Sequence, residues 1–68
     1  MTFADMLRDA MNGMTQEQLE DRSGVSQGEI SRYLRGEAEP KLTQLEALER
    51  ALPRLRQLRA ERFQGEVA

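Results

Sequence analysis

Apolar side chains recur at intervals of three or four between the turn-forming residues of this chain, and strict alternation with polar residues is absent. The turn-forming residues are Gly13, Gly24, Gly36, Pro40 and Pro53. Spacings of three and four place apolar side chains on one face of a helix, whereas alternation would predict strands. The pattern therefore predicts an all-α fold of five short helices.

The first helix is predicted over about residues 2–12. Its apolar positions share one face and follow Thr2, whose hydroxyl can cap the helix start. They are Phe3, Leu7, Ala10 and Met11. The pair Asn12-Gly13 is favourable for ending the helix, because both residues tolerate the left-handed conformation found after helix ends.

Capping boxes mark the next two helix starts. In this motif a Ser or Thr hydroxyl accepts the amide three residues later, and that later side chain reaches back. Thr15 pairs in this way with Gln18, and Ser26 pairs with Glu29 as its reciprocal partner. These starts predict helices at about residues 16–22 and 27–35. The turn between them is too short for antiparallel packing, so the two helices should meet at a steep angle.

Two more helices follow a predicted loop at about residues 37–41. The fourth has leucines at helical spacing on one face: Leu42, Leu45, Leu48 and Leu52. Pro53 suits the first position of the fifth, because its missing amide would be unpaired there. This helix carries Leu55, Leu58 and Phe63 and is expected to end before Gly65. We expect one domain over residues 1–64 and a frayed tail at 65–68.

Composition removes most enzyme chemistry. The 68-residue chain contains no cysteine and no histidine. Disulfides, thiol nucleophiles, the usual zinc ligands and imidazole acid–base catalysis are therefore excluded, and we expect no catalytic residues, no metal and no cofactor. Hydrophobic residues make up 38% and charged residues 32%, and carboxylates interrupt the N-terminal segment. We expect a globular cytoplasmic protein without a membrane partner.

The overall charge gives no support to nucleic-acid binding, because ten Lys and Arg against twelve Asp and Glu leave a net charge of -2. The position of the cations is more informative. On the third helix Ile30, Tyr33 and Leu34 would pack inward. The opposite face lacks large apolar residues and carries Gln27, Gly28, Ser31, Arg32 and Arg35. Such a face offers donors and acceptors for base edges and phosphates, although an ordinary solvated helix face is the alternative.

The stretch TQEQLEDRSGVSQGEISRYLRG, about residues 15–36, resembles the helix-turn-helix of the lambda-repressor/Cro family, also called the XRE family. The Thr-Gln opening, the Gly-Val-Ser turn and the Ile-Ser-Arg sequence carry this resemblance. The order of five short helices extends it over most of the chain. The resemblance implies a compact five-helix lambda-repressor-like domain, whose third helix enters the major groove of double-stranded DNA.

The resemblance and the side-chain chemistry together imply which residues contact bases. Gln27 can pair bidentately with adenine, and Arg32 can pair in the same way with guanine. Ser31 can bond to a base or to a phosphate. Gly28 lets the helix approach closely, because it has no side chain. These are the predicted base-reading residues.

Phosphate contacts are expected at both ends of the motif. Gln16 stands at the start of the second helix, where the helix dipole favours an anion, and the resemblance implies that it also braces Gln27. Arg35 and Lys41 flank the end of the third helix, where family members contact the DNA backbone. Arg8 is expected to form a surface ion pair with Asp5 instead.

Acidic residues depart from the family pattern. Glu20 stands at the helix crossing, so its stem packs with the carboxylate in water, or the crossing is wider than usual. Glu37 and Glu39 occupy a loop that is often basic in relatives. Weak monomer binding is therefore expected, and a homodimer on a near-palindromic site would compensate. The candidate interface is Leu55, Leu58 and Phe63, and the alternative is that they close the monomer's core.

These observations favour a sequence-specific DNA-binding transcriptional regulator, a small prokaryotic or phage protein of the Cro or repressor type. It would be regulated by concentration, or the chain is a fragment of a longer protein. The alternatives are an antitoxin that binds a protein partner and autoregulates its operon, and an interaction module without DNA affinity. The arginines of the fifth helix could solubilise it, pair with a partner's carboxylates or extend the DNA contact.

Overall fold

The computed structural model describes the backbone of residues 1–67 and the side chains of residues 1–61. The described backbone contains five helices and no strand, which confirms the predicted all-α class. The helices are α1 (Phe3–Met11), α2 (Gln16–Ser23), α3 (Gln27–Leu34), α4 (Leu42–Ala51) and α5 (Pro53–Val67). The last helix continues past Gly65, where the sequence predicted its end, and the domain boundary at residue 64 stays a prediction.

Capping boxes begin the first two helices. The Thr2 hydroxyl accepts the Asp5 amide at 3.1 Å, and the Asp5 carboxylate accepts the Thr2 amide at 3.2 Å. The predicted pair Thr15 and Gln18 forms the same two bonds, at 3.1 and 3.0 Å. Gly24 ends α2 with a φ of 79°, a conformation that a residue with a Cβ rarely adopts. Local sequence therefore sets both the start and the end of α2.

The core is assembled from all five helices. Helix α1 packs on α3 and α5, α2 packs on α3 and α4, and α4 packs on α5. Five fully buried side chains come one from each helix: Leu7, Leu19, Ile30, Leu48 and Leu55. Burying a side chain of this size stabilises a fold by about 1.5 to 3 kcal/mol. The ring of Phe3 meets the ring of Tyr33 edge to face, with centroids 6.4 Å apart, and this joins α1 to α3.

Two predictions about leucines need correction. Leu55 is 0% exposed and Leu58 is 8% exposed, so both are occupied in the chain's own core instead of reaching a partner. Phe63, the third member of the predicted interface, lies outside the described side chains. Leu42 was expected on the core face of α4 but is 67% exposed, at the first position of that helix.

Among the described residues, none of the helices combines the length and the hydrophobicity that a bilayer-spanning segment requires.

Candidate nucleic-acid interface

Two side chains from outside the helix body cap the start of α3. The Ser26 hydroxyl accepts the amide of Glu29 at 3.2 Å, as predicted. The carboxylate of Glu20, on α2, accepts the amide of Gln27 at 3.0 Å. A carboxylate at this end interacts favourably with the helix dipole and satisfies an amide that has no partner within the helix. The half-buried Glu20 therefore joins α2 to the first residue of α3, a role that the sequence did not indicate.

Glu29 does not complete a capping box with Ser26, which corrects the prediction. Its carboxylate instead accepts the side-chain amide of Gln44, on α4. The Tyr33 hydroxyl lies 2.9 Å from the Gln44 carbonyl oxygen and 3.2 Å from the Glu29 carboxylate, so its single proton is shared between two acceptors. Gln44 also accepts the backbone amide of Lys41 at 3.2 Å. These bonds fix the middle of α3 to the start of α4.

The surroundings of Tyr33 shift the pKa of its hydroxyl group. Burial raises the pKa of Tyr33, and the hydrogen bond and negative charge of Glu29 raise it further. The phenol is therefore held in its neutral form, which can donate to the Gln44 carbonyl. A donor kept in place by two acceptors restricts the orientation of α3 on the core.

The end of α3 is held from α1. The Arg8 guanidinium donates to the backbone carbonyl of Leu34 at 2.8 Å, and a cation at this end suits the helix dipole. Arg8 also forms the predicted ion pair with Asp5, at 3.5 Å. Sequence reasoning found this pair but missed the carbonyl, which is 26 positions away in the chain.

The chain turns back over α3 immediately after the helix. The amide of Gly36 donates to the Tyr33 carbonyl at 3.1 Å, and the amide of Glu37 donates to the Arg32 carbonyl at 3.0 Å. This pair of bonds is a Schellman motif, in which Gly36 takes a φ of 73°. The motif places Glu37 beside the last turn of the helix, next to Arg35.

The predicted base-reading residues share one outward face of α3. Gln27, Gly28 and Arg32 are exposed, and Ser31 is half-buried. Among the described residues, the side chains of Gln27 and Arg32 make no hydrogen bond or ion pair. A Cβ built on Gly28 would meet no atom within 4 Å, so nothing inside the protein requires glycine at this position.

The predicted phosphate-contacting residues differ in their availability. The exposed side chain of Lys41 makes no ion pair within the described part of the chain. Arg35, in contrast, donates to Ser31 and binds the carboxylate of Glu37 through two guanidinium nitrogens. Gln16 is half-buried at the first position of α2, and no hydrogen bond joins it to Gln27 among the residues described here. The implied brace between these glutamines is therefore not formed.

Ionic contacts inside the chain occupy part of the basic α5. Arg54 pairs with Asp9 of α1 at 3.5 Å, and Arg59 pairs with Glu49 of α4 at 2.6 Å. The second pair is the more buried of the two. These two arginines therefore make contacts within the chain, to α1 and to α4.

Comparison with known proteins identifies the family of this chain. The chain matches the family model described as Helix-turn-helix over residues 6–58, a span that covers most of its length. No curated protein and no solved structure gave a significant match. The matched span contains the whole of α2, the glycine turn and α3, together with most of the core around them. The chain therefore belongs to the helix-turn-helix family of DNA-binding domains, of the lambda-repressor/Cro or XRE type.

Proposed function

We propose that this protein is a sequence-specific transcriptional regulator that reads the major groove of double-stranded DNA with α3. One observation carries the proposal. The helix is held at its start by Glu20, in its middle by Tyr33 and at its end by Arg8, while the side chains of Gln27 and Arg32 stay unpaired on its outward face. A rigid helix with unpaired polar side chains is suited to reading base edges, because little ordering is needed on binding.

Each outward residue has a role in this proposal. Gln27 pairs with adenine and Arg32 pairs with guanine, each through two hydrogen bonds. Ser31 accepts a bond from Arg35, which leaves its own proton available to a base or a phosphate. Gly28 allows close contact with the groove. Lys41, at the start of α4, contacts phosphate.

A homodimer is part of the proposal. The net charge of -2 makes a single domain a weak ligand for DNA, because each phosphate contact contributes through counterion release. Two copies with their α3 helices one helical turn, ~34 Å, apart would bind a near-palindromic operator. This is the arrangement of a small cytoplasmic prokaryotic or phage repressor of the Cro type. The contact between copies would use residues other than Leu55 and Leu58, which are buried in the monomer.

The second candidate is an antitoxin or interaction module of the same fold, which would bind a protein partner and could also autoregulate its operon. The net charge of -2 favours this candidate, because it suits a basic partner. The pairing of Arg35 with Glu37 points the same way, since it removes a cation from the expected DNA side.

Selection from a library of random duplexes tests the main proposal. A short near-palindromic sequence should be enriched, with affinity that falls steeply as salt rises. With that duplex, Arg32→Ala should cost ~1 to 3 kcal/mol and relax one base position, whereas Lys41→Ala should weaken all sequences alike. Equal losses on every sequence for Arg32→Ala would contradict its base-reading role. Failure to enrich any sequence, with copurification of a basic protein, would support the second candidate.

A further inference from the structure

The carboxylate of Glu37 binds the guanidinium group of Arg35, one of the predicted phosphate-contacting residues. The two nitrogens Nε and Nη2 of Arg35 face the two carboxylate oxygens of Glu37, with the second contact at 3.4 Å. A guanidinium fork binds the oxygens of a carboxylate and of a phosphate with the same paired geometry. The carboxylate therefore resembles the phosphate ligand in charge sign and in shape.

We propose that Glu37 holds Arg35 as an intramolecular competitor of DNA phosphate and so lowers the affinity of the protein for nonspecific DNA. This inference rests on the proposed function and assigns a new role within that interface. Nonspecific binding depends almost wholly on phosphate contacts, whereas specific binding also includes base contacts. A duplex of arbitrary sequence therefore reports on the phosphate contact of Arg35 without a contribution from base contacts.

The backbone after α3 places Glu37 beside Arg35. The Schellman motif fixes the Glu37 amide on the carbonyl of Arg32, and Arg35 is the residue that caps the same helix end. The hydrogen bond from Arg35 lowers the pKa of Glu37, and the positive charges of Arg35 and Arg32 lower it further. The competitor therefore remains ionised at neutral pH.

The ion pair of Arg35 and Glu37 is exposed to solvent, so a phosphate can replace the carboxylate. The side chain of Arg35 is 54% exposed and that of Glu37 is 52% exposed, so solvent screens the attraction between them. A phosphate can approach the guanidinium from the solvent side. Arg35 also donates to Ser31 on the base-reading face, so release of Arg35 frees an acceptor lone pair beside the bases.

Glu39 provides a matched control. It lies in the same loop, two residues beyond Glu37, and carries the same charge. Within the described side chains Glu39 makes no hydrogen bond or ion pair. Glu37→Gln and Glu39→Gln therefore remove the same unit of negative charge, and only the first also removes the charge and one of the two acceptor oxygens that hold Arg35.

The experiment measures retention on a heparin column and the salt dependence of binding to a duplex of arbitrary sequence. Glu37→Gln should elute from heparin at higher salt than Glu39→Gln. Its plot of log binding constant against log salt should steepen by about 0.9 relative to the Glu39→Gln protein, which corresponds to one extra phosphate contact. In an Arg35→Gln background the two variants should behave alike. Circular dichroism checks that every variant is folded.

Equal behaviour of Glu37→Gln and Glu39→Gln would overturn the inference, and so would a Glu37→Gln effect that persists without Arg35. The proposed function has a separate readout, which is enrichment of a sequence from random duplexes. If no sequence is enriched but Glu37→Gln still elutes from heparin at higher salt than Glu39→Gln, the proposed function fails. Glu37 then competes with polyanions in general for Arg35. If a sequence is enriched and the heparin order fails, only the role of Glu37 is rejected.

Discussion

Gly28→Ala should stabilise the protein and weaken its binding to DNA. Gly28 is the second residue of α3 and has no positive φ, so alanine fits the backbone without strain. A Cβ there would meet no atom within 4 Å, so no clash opposes the gain. Alanine is favoured over glycine in a helix by up to about 1 kcal/mol, because glycine loses more backbone entropy on folding. We expect stabilisation of about 0.5 to 1 kcal/mol, or roughly 2 to 8 °C in Tm.

The same methyl group has the opposite effect on the complex. It would project from the outward face between Gln27 and Arg32 and hold α3 away from the groove. The proposed bonds of both side chains to bases depend on close approach, so we expect at least about tenfold weaker binding to the selected duplex, or roughly 1.4 kcal/mol. Gln57→Ala is the control, because this neutral, exposed residue lies on α5, which packs on α1 and α4.

Thermal unfolding by circular dichroism and duplex titration by fluorescence anisotropy measure the two effects. The expected result is a higher Tm with a lower affinity for Gly28→Ala, and an unchanged affinity for Gln57→Ala. Undiminished affinity of Gly28→Ala would refute the argument that this face enters the groove. A lower Tm would refute the description of the space around Gly28.

Three further predictions concern stability. Glu20→Gln should destabilise the protein by about 0.3 to 1 kcal/mol in urea unfolding, since a neutral amide interacts less with the dipole of α3. An unchanged free energy of unfolding would contradict the role of Glu20 as a cap. Tyr33 is the chain's one tyrosine, and tryptophan is absent, so absorbance at ~295 nm should titrate above its ordinary pKa of ~10. Because the folded state favours the neutral phenol, this contribution to stability should be retained below pH ~10 and lost above it. Tyr33→Phe should remove the loss at high pH, and an unchanged loss in this variant would contradict the effect of burial and Glu29. The backbone and side-chain hydrogen bonds of Thr2 lower the pKa of Asp5, so their contribution is present above pH ~3.9 and is lost on acidification. In Asp5→Asn the free energy of unfolding should depend less on pH in the acidic range. An unchanged dependence on acidic pH would contradict the effect of the Thr2 bonds.

Local sequence rules predicted the helices well, because their causes lie within a few residues. Thr15 and Gln18 are three positions apart, and the bonds expected from that spacing are present. Gly24 and Gly36 take the positive φ values that their turns require. The outward position of Arg32 follows from helical periodicity once Tyr33 is assigned to the core.

The contacts that orient α3 could not be predicted, because each joins residues distant in sequence or depends on how helices rotate. Glu29 could have reached back to Ser26, but Gln44, fifteen positions away, offers it an amide donor. Glu20 carried no signal for its bond to Gln27, since the bond exists only where α2 crosses α3. Periodicity placed the leucines of α5 on one face without showing whether that face meets the same chain or another one.

The three anchors of α3 use none of the side chains on its outward face. Glu20 holds a backbone amide, Arg8 holds a backbone carbonyl, and Tyr33 points inward to Gln44. A combinatorial library at the outward positions would thus leave the scaffold intact. Under the proposed function, these positions can therefore change, by engineering or by natural divergence, at little cost in folding.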